Sequence, residues 1–281
     1  MIKLRAYAKI NLGLRILGKR ADGYHDIETI LHRIDIYDEL SFSKSETISL
    51  ETDAPEIPSG EENLCIRGAR LLSSHSGAKG GARISLRKKI PAGAGLGGGS
   101  SDAAATLLGL NELWGLDLKH EELHRLAAQL GSDVPYFVRK GTAYAAGRGE
   151  ILEYFPLKLP YWIVVMYPNI HVSTAWAYQQ VRIEKSDRKD DLRDNLVDNL
   201  HDGEILKQLI RNDFEPVVFR AHPELSEIKQ EYYEHGALFA QMSGSGSSMY
   251  GLFESEGGAR SVCEKLNGHG KFFLTRPGLS L

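Results

Sequence analysis

The chain has 281 residues, 42% hydrophobic and 25% charged, with a formal net charge of −3. This is the make-up of a soluble globular protein of one large or two ordinary domains, long enough to bury a core without staples. The near-neutral balance excludes a global attraction to nucleic acid or an acidic membrane, so any anion binding must be local.

No run of about 18 apolar residues could span a membrane. The opening Met1-Ile2-Lys3-Leu4-Arg5-Ala6 lacks the apolar core expected of a signal or transit peptide. Cys65 and Cys263 are the only cysteines, and the ten histidines show no metal-ligand spacing. Neither a disulfide framework nor a zinc site follows, and a reducing cytoplasm is expected.

From Leu4 to Ile16 the sequence alternates strictly, which predicts a strand. Leu4, Ala6, Ala8, Ile10, Leu12, Leu14 and Ile16 share one face. Lys3, Arg5, Tyr7, Lys9, Asn11, Gly13 and Arg15 share the other. A loop rich in turn residues, 18–25, leads to further strands over 27–37, 39–42 and 47–51. The stretch 53–60, with Pro55 and Pro58, reads as loop. A helix is expected over 63–74, an alternating strand over 82–90, and helices over 101–114 and 121–130. Gly131-Ser132-Asp133-Val134-Pro135 then breaks the last helix.

Two prolines flank a short linker near 155–160, and an apolar strand begins again at Trp162–Tyr167. The expected domains are therefore 1–157 and 158–281. Beyond the linker, helices are predicted over 173–182, 204–211 and 224–234, and two short strands flank 243–248. The charge-dense run 184–194 reads as an exposed loop. Runs of strands before runs of helices predict an α+β fold with largely antiparallel sheets.

The segment Pro91-Ala92-Gly93-Ala94-Gly95-Leu96-Gly97-Gly98-Gly99-Ser100-Ser101 holds five glycines in seven positions between a basic strand and a patterned helix. Glycines allow positive φ and close backbone approach, so several N–H groups can converge on one anion. Ser100, Ser101 or Asp102 is expected to cap the following helix, whose N-terminus would then face a phosphate. No lysine follows the glycines, which excludes a Walker A loop. The pattern G-x-G-x-x-G is formally present at Gly93, Gly95 and Gly98. A dinucleotide fold is nevertheless excluded, because residues 82–87 alternate polar and apolar, and Asp117 follows a helix rather than a second strand. The segment thus reads as a phosphate-binding loop at a helix N-terminus.

The loop at 91–101 resembles the ATP signature of the GHMP kinase superfamily. Six further blocks narrow the resemblance: Ala8-Lys9-Ile10-Asn11-Leu12, Arg20-Ala21-Asp22-Gly23-Tyr24-His25, Gly131-Ser132-Asp133-Val134-Pro135, Gly147-Arg148-Gly149-Glu150, Val172-Ser173-Thr174 and Met242-Ser243-Gly244-Ser245-Gly246. In that order they resemble the branch of the superfamily whose acceptor alcohol carries a cytidine diphosphate. The resemblance implies the two-domain GHMP kinase fold with the active site in the interdomain cleft. It also implies phosphorylation of the 2-hydroxyl of a cytidine-diphosphate methylerythritol in the non-mevalonate isoprenoid pathway. Ala92 and Ala94 stand where some members carry methionine or glycine, and Ser247-Ser248 where members often have proline and threonine.

By the same resemblance Lys9 is catalytic beside the acceptor hydroxyl, Asp133 is its general base, and Asn11 holds the substrate. From spacing alone, Lys9 and Asn11 equally fit a solvated strand face, and Asp133 fits a capping or turn aspartate. Tyr24 and Tyr178 are implied to stack on the cytosine, with Trp176 close by. His25 would supply polar contacts, Thr174 a hydroxyl, Asn63 a nucleotide contact, and residues 243–246 a third glycine motif over the phosphates. Arg83, Arg87, Lys88 and Lys89 read by default as a solvated strand face. No carboxylate cluster marks a dedicated metal cage, so magnesium is expected to arrive with ATP. Expected partners are the small cytidine-diphosphate substrate alone, without nucleic acid or membrane, for a monomer or weak homodimer. The competing readings are a GHMP kinase for mevalonate or homoserine and a non-catalytic nucleotide-binding sensor. The loop 22–25 and the aromatic near 178 oppose the first, and the presence of both Lys9 and Asp133 opposes the second.

Overall fold

A computed structural model describes residues 1–183 and 191–278. The chain divides into two compact units, each discontinuous in sequence. Unit 1 holds Met1–Ala8, Ile36–Ala92 and Gly97–Lys140; unit 2 holds Lys9–Asp35, Gly93–Leu96 and the chain from Gly141 onward. Two long strands, β1 (Ile2–Lys19) and β2 (His25–Ser45), run through both. Their lengths exceed the expectation. The residues read as two strands, 27–37 and 39–42, form one, because Asp38 is buried and bonded within the fold rather than exposed in a turn.

In unit 1, β2 pairs antiparallel with β4 (Gly81–Arg87) from Glu39↔Arg87 to Ser45↔Gly81. The short β3 (Ser49–Thr52) runs parallel to β4. Four helices complete the unit: α1 (Leu64–Ser76), α2 (Gly98–Trp114), α3 (His120–Leu130) and α4 (Val134–Val138). The alternation of β4 buries Ala82, Ile84 and Leu86 together with Leu40 and Phe42 of β2. A Cβ at Gly109 of α2 would strike the Phe42 ring, so this glycine lets the helix close on the sheet. A further helical turn, α4, forms where a break alone was expected, with Pro135 in its first turn, where a missing N–H does no harm.

In unit 2, β2 pairs antiparallel with β5 (Thr142–Ala146), and β5 with β6 (Ile151–Phe155). A four-stranded antiparallel sheet follows in the order β10-β7-β9-β8, from β7 (Trp162–Tyr167), β8 (Phe239–Met242), β9 (Met249–Phe253) and β10 (Lys271–Thr275). The helices are α5 (Thr174–Gln180), α6 (Leu192–Asp198), α7 (Gly203–Leu209), α8 (Glu215–Ala221), α9 (Pro223–Glu234) and α10 (Glu256–Lys265). The core of the unit gathers Leu14, Ile27, Val164, Met166, Phe214, Val218, Tyr232, Phe253 and Val262. Of the run 184–194 expected as a loop, residues 184–190 lie outside the described residues. The remainder opens α6, capped by Asp191, whose carboxylate accepts from the N–H groups of Arg193 and Asp194.

Candidate active site

The alternation of β1 puts Lys9, Asn11, Gly13 and Arg15 on one face, but that face is not solvated. Lys9 is 4% exposed and Asn11 3%. A buried ammonium needs partners, and Lys9 has them: its Nζ donates to Asn11 Oδ1 at 2.6 Å and to the Gly95 carbonyl at 2.8 Å. Asn11 Nδ2 donates to Thr29 Oγ1 at 2.9 Å, and Thr29 Oγ1 donates to the Gly13 carbonyl at 2.5 Å. This chain of bonds fixes which way the Asn11 amide points, with its oxygen toward the lysine.

The glycine loop divides between the units: Pro91, Ala92 and Gly97–Ser101 belong to unit 1, Gly93–Leu96 to unit 2. Gly93, Gly95 and Gly97 have φ of 63°, 76° and 71°, values that favour glycine. At Gly95 a side chain is excluded twice over, because an added Cβ would also collide with the carbonyl of Ser243. The loop does not need a serine or aspartate to cap α2. Gly97 is the cap residue and the helix starts at Gly98, with Ser101 N bonding Gly97 O at 2.9 Å. Ser101 and Asp102 lie inside the helix and are buried, and Asp102 is engaged by Lys88. The expected side-chain cap is therefore replaced by a left-handed glycine.

The third glycine motif joins β8 to β9 and packs on residues 93–96. Ser243 Oγ donates to the Gly95 carbonyl at 2.9 Å, and Ser248 N donates to the Ala94 carbonyl at 3.2 Å. A Cβ at Gly244 would lie 3.4 Å from both Lys9 Nζ and Asn11 Oδ1. The structure thus brings Lys9, Asn11, Gly95 and the 243–246 hairpin together. Asn212, which the sequence did not flag, holds the hairpin in place: its Nδ2 donates to the carbonyls of Met242 and Gly244, each at 2.8 Å. Gln241 and Tyr250 support β1 from below, Gln241 Oε1 accepting from Gly13 N and Tyr250 OH donating to Asn11 O. Thr174 Oγ1 and Ser245 Oγ share a hydrogen bond of 2.8 Å.

An aromatic group forms elsewhere in unit 2. The His25 and Tyr178 rings stack at 4.8 Å and 17°, and Tyr178 meets Phe214 edge-on. Burial, with the nearby Lys19 ammonium, holds His25 below the ordinary imidazole range. Tyr24 is 54% exposed, and the Arg148 guanidinium lies over its ring at 4.7 Å. Trp176 packs against the unit 2 core.

In unit 1, Asp133 precedes α4, but its carboxylate does not cap that helix. Asn63 does cap α1: its Oδ1 accepts from Cys65 N, and its Nδ2 donates to the Pro58 carbonyl. Of the basic residues before the loop, Arg83 and Arg87 are exposed as expected. Lys88 is not part of that solvated face. Its ammonium is buried between Asp38 Oδ2 at 2.5 Å and Asp102 Oδ2 at 2.8 Å.

Comparison with known proteins defines the class first. Residues 63–141 match the GHMP kinases N terminal domain and residues 192–271 the GHMP kinases C terminal domain. A solved 4-(cytidine 5'-diphospho)-2C-methyl-D-erythritol kinase superposes with a TM-score of 0.82 at 37% identity, covering 99% of this chain and all of the other. A homoserine kinase from Cytophaga hutchinsonii shares the fold, at a TM-score of 0.76 and 17% identity over 98% of this chain and 95% of the other. The 4-diphosphocytidyl-2-C-methyl-D-erythritol kinase of Prosthecochloris aestuarii is 47% identical over 95% of this chain and 94% of its own length. That of Chlorobaculum tepidum is 44% identical over 99% and 98%. The chain belongs to the 4-diphosphocytidyl-2-C-methyl-D-erythritol kinase family.

Proposed function

We propose that the chain transfers the γ-phosphoryl group of ATP to the 2-hydroxyl of 4-diphosphocytidyl-2-C-methyl-D-erythritol, a step of the non-mevalonate route to isoprenoids. The observation that carries the reading is the buried Lys9 ammonium, bonded to Asn11 and to the carbonyl of Gly95 inside the glycine loop. A cation held there stabilises charge on the reacting groups at no reorganisation cost. Positioning and electrostatics dominate phosphoryl transfer, whose transition state is loose.

In this reading the loop Pro91–Ser101 cradles the polyphosphate with the backbone N–H groups that follow the proline, and Asn63 borders the nucleotide. Asp133 takes the proton of the acceptor hydroxyl. Asn11 and Thr174 bind the acceptor, His25 and Tyr178 form an aromatic wall for the cytosine, and Tyr24 closes over it. Among the described residues, no group of three or more His, Cys, Asp or Glu could hold a metal ion. Magnesium would travel with ATP, keeping several waters. The family matches fall on either side of residues 157 and 158, which supports that boundary for the two domains. No helix among the described residues is long and apolar enough to cross a membrane. A cytoplasmic monomer or weak homodimer, without nucleic acid or membrane partner, completes the reading, and light scattering checks its mass.

An ADP-release assay against a panel of alcohols tests the activity. ADP should appear with the cytidine-diphosphate methylerythritol and not with mevalonate or homoserine. Release with either of those alcohols instead, or ATP binding without turnover on any of them, would sink the proposal.

A further inference from the structure

Both flanks of the phosphate loop are tied to one buried cluster in unit 1. On the entering side, Asp38 Oδ1 accepts from the backbone N–H of Lys89 at 2.5 Å and of Ile90 at 2.8 Å, the two residues before Pro91. On the leaving side stands Asp102, one residue beyond Ser101 and within the first turns of α2. Lys88 joins them, with Nζ donating to Asp38 Oδ2 and Asp102 Oδ2. The side chains of Lys88, Asp38 and Asp102 are 8%, 0% and 4% exposed. The ammonium also lies against the first helical residue, since a Cβ built on Gly98 would sit 3.4 Å from Lys88 Nζ and 2.9 Å from Ile90 Cγ2.

A buried ammonium between two buried carboxyl groups is a poor device for stability, because desolvation opposes their attraction and an apolar replacement would often serve as well. Their geometry does something an apolar cluster could not. Each donor and acceptor has a fixed direction, so the end of β4 and the start of α2 are held at one separation. Asp102 Oδ2 is held by Lys88, and its buried Oδ1 has no hydrogen-bond partner among the described residues.

We propose that Asp38, Lys88 and Asp102 are positioning residues that set the span of the phosphate loop, and hence its fit to a nucleotide polyphosphate, without reacting themselves. The inference rests on the reading of residues 91–101 as the ATP loop. A loop whose amides must converge on one phosphate loses binding when its ends shift by a fraction of an ångström, whereas groups that hold the acceptor are unaffected.

The test uses the full chain and steady-state kinetics with both substrates, alongside thermal unfolding. Lys88→Met leaves two buried carboxylates without their cation and should lower Tm as well as raise KM for ATP. The double variant Lys88→Met/Asp102→Asn removes one of the two carboxylates, and the other, Asp38, keeps its two backbone N–H donors. Its Tm should recover toward wild type, while KM for ATP stays raised about tenfold or more and KM for the cytidine substrate stays within about twofold. Asp38→Asn, which turns an amide toward the lysine, should give the same split between the two KM values. A double variant whose ATP KM recovers together with Tm would show a merely structural cluster and overturn the proposal. So would equal changes in both KM values. Wild-type enzyme that neither binds nor turns over ATP would instead overturn the reading of the loop itself.

Discussion

His32 gives the chain a measurable response to acid. It lies on β2 and is 6% exposed, with Nδ1 2.7 Å from Oγ1 of Thr142, itself buried on β5. Burial lowers its pKa from 6.5 to about 4, so the folded state keeps the ring neutral while the unfolded chain takes up a proton. Between those values the unfolded state binds more protons, so stability falls as pH drops below about 6.5 and the loss levels off below about 4. At about 1.4 kcal/mol per pH unit, the loss reaches about 3 kcal/mol at the lower end. The carboxylates also destabilise the fold in acid, but they do so equally in a variant that differs only at residue 32. Urea unfolding of wild type and His32→Gln should be compared from pH 4 to pH 7.5. The difference between the two free energies should be flat above pH 7 and shift by about 3 kcal/mol in favour of the variant by pH 4. Parallel curves would refute the argument and show that the folded imidazole is protonated or reached by water.

Three further outcomes bear on the site. Asp133→Asn should lower kcat by about 10²-fold, the scale of a lost acid–base group, with circular dichroism confirming the fold; near wild-type turnover removes the assignment. Gly95→Ala should abolish ATP binding, followed by fluorescence of a labelled nucleotide, because the new methyl meets the Ser243 carbonyl and φ is already 76°; unchanged affinity would mean that the two loops are not packed together in solution. Tyr178→Leu removes the ring stacked on His25 and should raise KM for the cytidine substrate by about tenfold, within the 1–3 kcal/mol of a base–aromatic contact. Its KM for ATP should not move, and a change in that value instead would take Tyr178 out of the acceptor site.

Much of this architecture is written locally. The strand Trp162–Tyr167 and the helix ending at Leu130 appear at the expected residues, because apolar period and breakers settle both. The glycine loop and its following helix were also legible. What failed was the detail of the join: a serine or aspartate looked like the cap, and a left-handed glycine took the place. Elements with little local signal were missed. The helix α10 has two glycines, poor helix formers, in its first turn and is held by its Ser255 cap and by Ala259 and Val262 in the core. The strands β5 and β6 are short; β5 owes its pairing to β2, far away in sequence, and β6 pairs with β5.

The site was legible as residue types and illegible as a network, and β1 shows why. Its alternation is that of a strand with one wet face, yet from Ala8 to Ile16 both faces are buried. A strand buried on both sides is ordinarily apolar throughout, so polar residues there must each find a partner or be selected against. Lys9, Asn11 and Gly13 find theirs at Gly95, Thr29 and Gln241, separated from them by 86, 18 and 228 positions. No local pattern encodes such distances. Lys88 repeats the lesson in unit 1, where a lysine in a basic run proves to be the buried centre of a pair of aspartates 50 residues before it and 14 after. In both places the informative feature is a charge that folding has taken out of water and then paired by geometry. Stability alone gives no reason to keep such a charge, whereas the proposed role of placing a phosphate to within a fraction of an ångström does.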